Sequence, residues 1–92
     1  MRISKSRKRE LKKMKEKIDK LETKIREYTD EMEKIKKMAH EAIKKRDEKE
    51  YMRLIHKAQE IRKSITVLQS VRLSMKEEYE KAYWQLTNQQ NT

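Results

Sequence analysis

Apolar residues recur along this chain at alternating steps of three and four, which is the spacing of a coiled-coil seam. The repeat breaks once, between Ala42 and Tyr51, and then resumes. Steps of three and four keep side chains on one face of a helix, whereas a strand needs steps of two. The sequence therefore predicts two long helices that share one narrow apolar stripe. Its members are Leu11, Met14, Ile18, Leu21, Ile25, Tyr28, Met32, Ile35, Ala39, Ala42, Tyr51, Leu54, Ala58, Ile61, Ile65, Leu68, Met75, Tyr79, Ala82 and Leu86, with Arg72 in the one polar position.

Composition favours the same all-α architecture. The 92 residues include no Gly and no Pro, the two residues that interrupt helices most strongly. Only 34% of the residues are hydrophobic and 46% are charged, which is too few apolar residues for a rounded core. A narrow stripe needs far fewer apolar residues, so we expect an elongated hairpin rather than a globule.

The break in the repeat coincides with signals for a helix end and a helix start. Asp47 and Glu50 match a capping box, and a basic triplet precedes them. Because no Gly is present, the commonest C-terminal cap is predicted to be unavailable to the first helix. We expect an antiparallel coiled-coil hairpin forming a single domain over residues 1–92, and one continuous helix that dimerises along its length is the alternative. The predicted segments are helix one over 6–46, a turn over 45–48, helix two over 48–87 and a disordered tail over 88–92.

A reversal near residue 47 pairs positions whose numbers sum to 93. Ile35 then faces Ala58, so that a large residue meets a small one. The one misfit is Leu21 opposite Arg72. We predict that Val71 fills this layer while Arg72 reaches outward to water.

Helix two contains a stretch, residues 64–75, with one base and no acid. Because nearly half of the chain is charged, this stretch predicts contact with another protein surface, most simply a second copy in a four-helix dimer or a higher homo-oligomer. Trp84 and Tyr83 are expected to pack at the edge of the seam, unless Trp84 is exposed and anchors a partner. The predicted oligomer or partner interface consists of Ser64, Val67, Val71, Leu73, Ser74 and Trp84.

The net charge of +10 is concentrated near the start of the chain, where residues 1–20 hold ten bases and three acids. Such a cluster displaces counterions from phosphate backbones. No aromatic residue interleaves with it and it lacks the pattern of a zipper-type basic region, so we expect sequence-independent binding of DNA or RNA. The predicted nucleic-acid-binding residues are Arg2, Lys5, Arg7, Lys8, Arg9, Lys12, Lys13, Lys15, Lys17 and Lys20. We also expect Glu77, Glu78 and Glu80 to neutralise part of this charge.

The leading prediction is a non-enzymatic scaffold that self-associates and contacts phosphate backbones. The alternative is an adaptor or inhibitor that docks on an acidic surface of a larger protein complex. A third possibility follows from a loose architectural resemblance: the chain resembles the basic hairpins of membrane-remodelling filaments, which bind anionic lipid. We expect no membrane contact, because the seam consumes the only apolar stripe in residues 1–30.

Signals for chemistry are missing from the sequence. There is no Cys, no Gly-rich phosphate loop and no nucleophile elbow, so we expect neither catalysis nor a cofactor. His40 and His56 lack the Glu-x-x-His spacing of metal-binding bundles and are predicted to face solvent rather than form a metal site. The absence of Cys and of a secretory signal pattern predicts a cytoplasmic protein, with nuclear or virion-associated locations left open.

Overall fold

The computed structural model describes residues 5–90, with side chains described as far as residue 87. Helix α1 spans Lys5–Lys44 and helix α2 spans Glu48–Gln90. The two helices pack against each other as a hairpin whose principal extents are 68 × 16 × 15 Å. Residues 5–90 contain no strand. The predicted helical hairpin is confirmed, and the single continuous helix is wrong because the backbone reverses between Lys44 and Glu48.

The ends of the helices differ from the predicted ones. Helix α1 ends at Lys44, two residues early, because Lys45 and Arg46 form the turn. Helix α2 continues to Gln90, so residues 88–90 are not the disordered tail that was expected. Gln is a good helix former and no Gly or Pro follows Thr87, so nothing in this polar segment stops the helix. Asn91 and Thr92 lie outside the described residues.

The turn uses the cap that the absence of Gly predicts to be unavailable. Arg46 takes the left-handed conformation, with φ 58°, which is the usual place for Gly. The N–H of Arg46 donates to the carbonyl of Ile43 (3.0 Å), and the N–H of Asp47 donates to the carbonyl of Ala42 (2.9 Å). These two bonds are the pair that defines a Schellman motif. The expectation that a chain without Gly lacks this cap is therefore wrong, because Arg46 adopts the left-handed conformation although its Cβ makes that conformation unfavourable.

Replacing Arg46 by Gly should stabilise the hairpin by about 1 kcal/mol, because an L-residue with a Cβ is disfavoured at positive φ by about that amount. Urea unfolding followed by circular dichroism measures the change. Lys45→Gly is the matched control, since Lys45 lies next to Arg46 but has no positive φ, and it should destabilise. A neutral or destabilising Arg46→Gly substitution would contradict this account of the turn.

The start of α2 forms half of the predicted capping box. The Glu50 N–H donates to Oδ1 of Asp47 (3.2 Å), as an N-cap requires. The reciprocal bond is missing, because the Asp47 N–H is already bonded to Ala42 and the Glu50 carboxylate pairs with Arg53. The hydrogen bond from Arg53, together with its charge, lowers the pKa of Glu50. Since the folded-state pKa is the lower one, this pairing stabilises the fold at neutral pH, and its contribution is lost as pH falls through that pKa.

The best-buried part of the stripe lies near the turn. One cluster joins the two helices there, and Leu54 is the least exposed of its members at 2%. The cluster consists of Ile35, Ala39, Ala42, Leu54 and Ala58, with Met32, Tyr51, Ile55 and Ile61 packed against it. Ile35 and Ala58, paired by the sequence, both belong to it. Farther from the turn, Ile18, Ile65 and Leu86 are buried, so the stripe extends along most of the hairpin.

The polar layer at Arg72 is arranged differently from the prediction. Val71 is 42% exposed and does not fill the seam. Arg72 instead reaches across to α1, where its Nη1 lies 3.4 Å from Oε1 of Glu22. Lys76 approaches the same carboxylate oxygen at 3.8 Å, so one acid of α1 joins two bases of α2. Nε of Arg72 is buried without a hydrogen-bond partner, so the desolvation of this group reduces the stability that this layer contributes to the seam.

Candidate nucleic-acid interface

Nine bases lie along the first four turns of α1, and the structure leaves all of them exposed. We call them the basic collar: Lys5, Arg7, Lys8, Arg9, Lys12, Lys13, Lys15, Lys17 and Lys20. Arg2, the tenth predicted binding residue, lies outside the described residues. Three acids fall within the same stretch, so residues 5–20 carry a net charge of +6. The collar is therefore a dense positive surface at the open end of the hairpin.

Helical spacing places eight of the nine collar bases in two strips and leaves Arg7 in phase with the apolar stripe, four residues before Leu11. One strip has steps of three, four and three and consists of Lys5, Lys8, Lys12 and Lys15. The other has steps of four, four and three and consists of Arg9, Lys13, Lys17 and Lys20. Residues at such steps share a face, so the two strips lie on different sides of α1. A straight duplex can therefore contact one strip at a time, whereas a flexible strand can reach both.

The first bases of the collar lie where they destabilise their own helix. The start of a helix carries partial positive charge and favours acids. Helix α2 follows this preference with Glu48 and Glu50 in its first turn, whereas α1 has no acid in its first turn. A cluster of bases at a helix start adds to the field of the helix dipole. Both contributions attract an anion to this end of the hairpin.

The ion pairs that the structure describes do not include direct contacts between residues 8–20 of the collar and the nearby acids of α2. The ion pairs described in residues 5–87 involve Lys36, Lys44, Arg53, Arg72 and Lys76. None joins a base between Lys8 and Lys20 to Glu77, Glu78 or Glu80. These bases consequently keep their charge available to an external anion.

The six residues predicted as an interface are all exposed, but they do not share one face. Ser64, Val67, Val71 and Ser74 follow steps of three, four and three and form one strip, which we call the valine strip. Leu73 follows Val67 by six residues, about one and two-thirds turns, and so lies on another face. Trp84 follows Leu73 by eleven residues, about three turns, and shares its face. One flat partner cannot cover both strips at once.

A shallow apolar groove lies beside the valine strip, between the two helices. Val67, which is 62% exposed, forms one wall, and Tyr28 of α1 contributes its ring. The groove is lined by Lys24, Tyr28, Lys63, Ser64, Val67 and Leu68. Nζ of Lys24 lies 5.9 Å from the centre of the Tyr28 ring, a cation–π distance. The groove thus combines an apolar floor with two lysines and no acid, a feature that the linear pattern of helix two alone did not reveal.

Trp84 does not pack at the edge of the seam, contrary to the first expectation. Its side chain is 65% exposed, because Leu86, two residues later, is the buried one. Two residues advance a helix by about 200°, so the indole lies on the side away from α1. Tyr83 is 58% exposed and stacks on Tyr79, with ring centroids 6.2 Å apart.

Sites for a metal or for a membrane span do not arise in the part of the chain that the structure describes. No group of three or more potential ligands gathers there, and His40 and His56 are exposed. Neither α1 nor α2 contains a segment apolar enough to cross a bilayer. Comparison with known proteins finds no family model, no curated protein and no solved structure that matches the chain.

Proposed function

We propose that this chain is a non-enzymatic scaffold that binds the phosphate backbone of nucleic acid through the basic collar, without sequence specificity. The observation that carries the proposal is the exposed set of nine bases in residues 5–20, of which Lys5, Arg7 and Lys8 lie in the first described turn of α1, where the helix dipole disfavours cations. A helix selected for stability alone would carry acids in its first turn, as α2 does. Phosphate binding gives these charges a compensating partner.

The salt dependence of binding tests this proposal in a gel shift with duplex and single-stranded DNA. One strip offers four bases, so the logarithm of duplex affinity should fall with the logarithm of salt concentration with a slope of about −4. A single strand that wraps both strips should show a steeper slope, of about −5 to −6. Duplexes of unrelated sequence should bind equally. Absence of binding at low salt, or a slope near zero, would refute phosphate recognition.

The scaffold role includes self-association through the valine strip, as in a four-helix assembly of two coiled-coil hairpins. Val67 and Val71 are exposed on one face, and Ser64 and Ser74 beside them are small enough to let another helix approach closely. Val71→Lys should then shift the chain from dimer to monomer in light scattering, because each copy places an unpaired charge in the shared interface. Leu73→Lys, on a different face, is the control and should leave the mass unchanged. A wild-type chain that is already monomeric at high concentration would contradict self-association.

The second candidate function is docking on an acidic surface of a larger protein complex. The groove at Val67 favours it, because Lys24 and Lys63 flank an apolar floor that phosphates would not fill. Under this alternative the chain forms a stable complex with one acidic protein and shows no affinity for DNA or RNA. The gel shift therefore separates the two candidates.

A further inference from the structure

The face of α2 that carries Trp84 has a composition unlike the rest of the surface. Leu73, Glu77, Glu80 and Trp84 follow steps of four, three and four and form one strip, which we call the tryptophan strip. A groove runs along it, lined by Glu77, Glu80, Lys81, Trp84 and Gln85. Trp84 is the most exposed of the large hydrophobic side chains that the structure describes. In a chain of net charge +10, this strip joins an exposed indole to two carboxylates.

We propose that the tryptophan strip binds an arginine-rich segment of a partner protein. A guanidinium stacks on the indole face through a cation–π contact, for which Trp is the best of the aromatic side chains. Glu80 lies one turn before Trp84 and Glu77 lies two turns before it, so both carboxylates can pair with neighbouring arginines of the same segment. This binding does not depend on the nucleic-acid function of the collar.

The carboxylates of the strip are available for such a ligand. Glu77 and Glu80 are exposed, and neither forms an ion pair with a base among the side chains described to residue 87. Between Leu73 and Trp84 the helix rises about 16 Å. An extended peptide covers that length with about five residues. A short segment with several arginines therefore matches the strip in both length and charge.

The position of the strip shields it from the charge of the collar. Trp84 lies on the side of α2 that faces away from α1, because Leu86 occupies the seam. The hairpin is 16 × 15 Å across, and the Debye length is about 8 Å at physiological ionic strength. The collar, on the other helix, is therefore largely screened from a cation held at Trp84.

A second copy of this chain fits the strip less well than a separate arginine-rich segment. The collar contains Glu10, Glu16 and Asp19 among its bases, and these acids would meet Glu77 and Glu80 across the contact. A segment that carries arginines and no acid avoids this repulsion.

Fluorescence anisotropy of a labelled nona-arginine peptide, titrated with the full chain, tests the proposal. Trp84→Ala should weaken binding about 3- to 5-fold, as expected for an exposed cation–π contact. Glu77→Gln combined with Glu80→Gln should weaken it about 5- to 10-fold. Lys81→Gln should tighten binding about 2- to 3-fold, because it removes the one base that lines the groove. A misfolded variant would not produce this gain in affinity for the peptide.

Glu78→Gln is the matched control for Glu80→Gln alone, because each removes one negative charge from α2 and Glu78 lies on another face of the helix. It should alter the affinity less than 2-fold. Equal losses of peptide affinity on Glu78→Gln and on Glu80→Gln would show that the total charge of the helix, and not the tryptophan strip, governs binding. That result would overturn the proposal. Absence of peptide binding would overturn it too, as would self-association that requires Trp84, because the strip would then belong to a second copy.

Discussion

Changing Lys12, Lys13 and Lys17 to Glu should lower the affinity for duplex DNA about 10²- to 10³-fold at 0.1 M salt. The three bases are exposed and represent both strips of the collar, so whichever strip faces the duplex loses a contact. Each lost phosphate contact costs nearly one power of the salt concentration, which is about 8-fold at 0.1 M. The new carboxylates add repulsion to this loss. A gel shift at that salt concentration measures the change directly.

Lys34, Lys37 and Lys49 provide the matched control. They are exposed, form no described ion pair and lie toward the turn, and their change to Glu alters the net charge by the same amount. This control should retain most of the affinity if the collar is the binding site. Equal losses in the two triple variants would show that total charge, and not the collar, governs binding. Circular dichroism should show the same helicity for both variants, because surface changes away from the seam leave the packing intact.

The hairpin could be predicted from the sequence because its determinants are local and periodic. The apolar stripe marks one face of each helix, and its single break lies where Asp47 offers an N-cap. The cap and the burial of Ile35, Leu54 and Ala58 agree with that prediction. The exposure of eight of the nine collar bases also follows from the pattern, since they avoid the stripe; Arg7 is exposed although it lies in phase with Leu11.

Two other features depend on details that the pattern does not contain, whereas a third follows from the spacing of the residues. Arg46 adopts positive φ because the chain reverses within the three residues between Lys44 and Glu48, although propensity would place Gly there. Arg72 stays in the seam because Glu22 of the other helix is within reach, and that contact spans fifty residues of sequence. The six predicted interface residues, all in α2, separate into two strips because their spacing within that one helix places them on two faces. Counting steps of three and four from Leu73 and Val67 would have found this last division in the sequence.

Leu54→Ala should destabilise the hairpin by about 3 kcal/mol, the largest effect we expect from a single substitution. Leu54 is 2% exposed and lies in the cluster with Ile35, Ala39, Ala42 and Ala58. Three of these four neighbours are alanines, whose side chains have no rotamers with which to fill a cavity. Because the neighbours cannot close the cavity fully, the loss in free energy of unfolding should lie well inside the range known for buried Leu→Ala changes. For a chain of this length, such a loss is a large part of the total free energy of unfolding.

Urea unfolding at one fixed protein concentration measures this loss, since self-association would make the midpoint depend on concentration. Met52→Ala is the control: Met52 is 50% exposed on the same helix two residues away, and its change should stay within about 0.5 kcal/mol. A cost below about 1 kcal/mol for Leu54→Ala would mean that the cluster does not hold the two helices together. The collar lies at the other end of α1, which is roughly 60 Å long. Leu54→Ala should therefore leave the DNA affinity unchanged under conditions where the variant remains folded, which separates the stability of the hairpin from its binding surface.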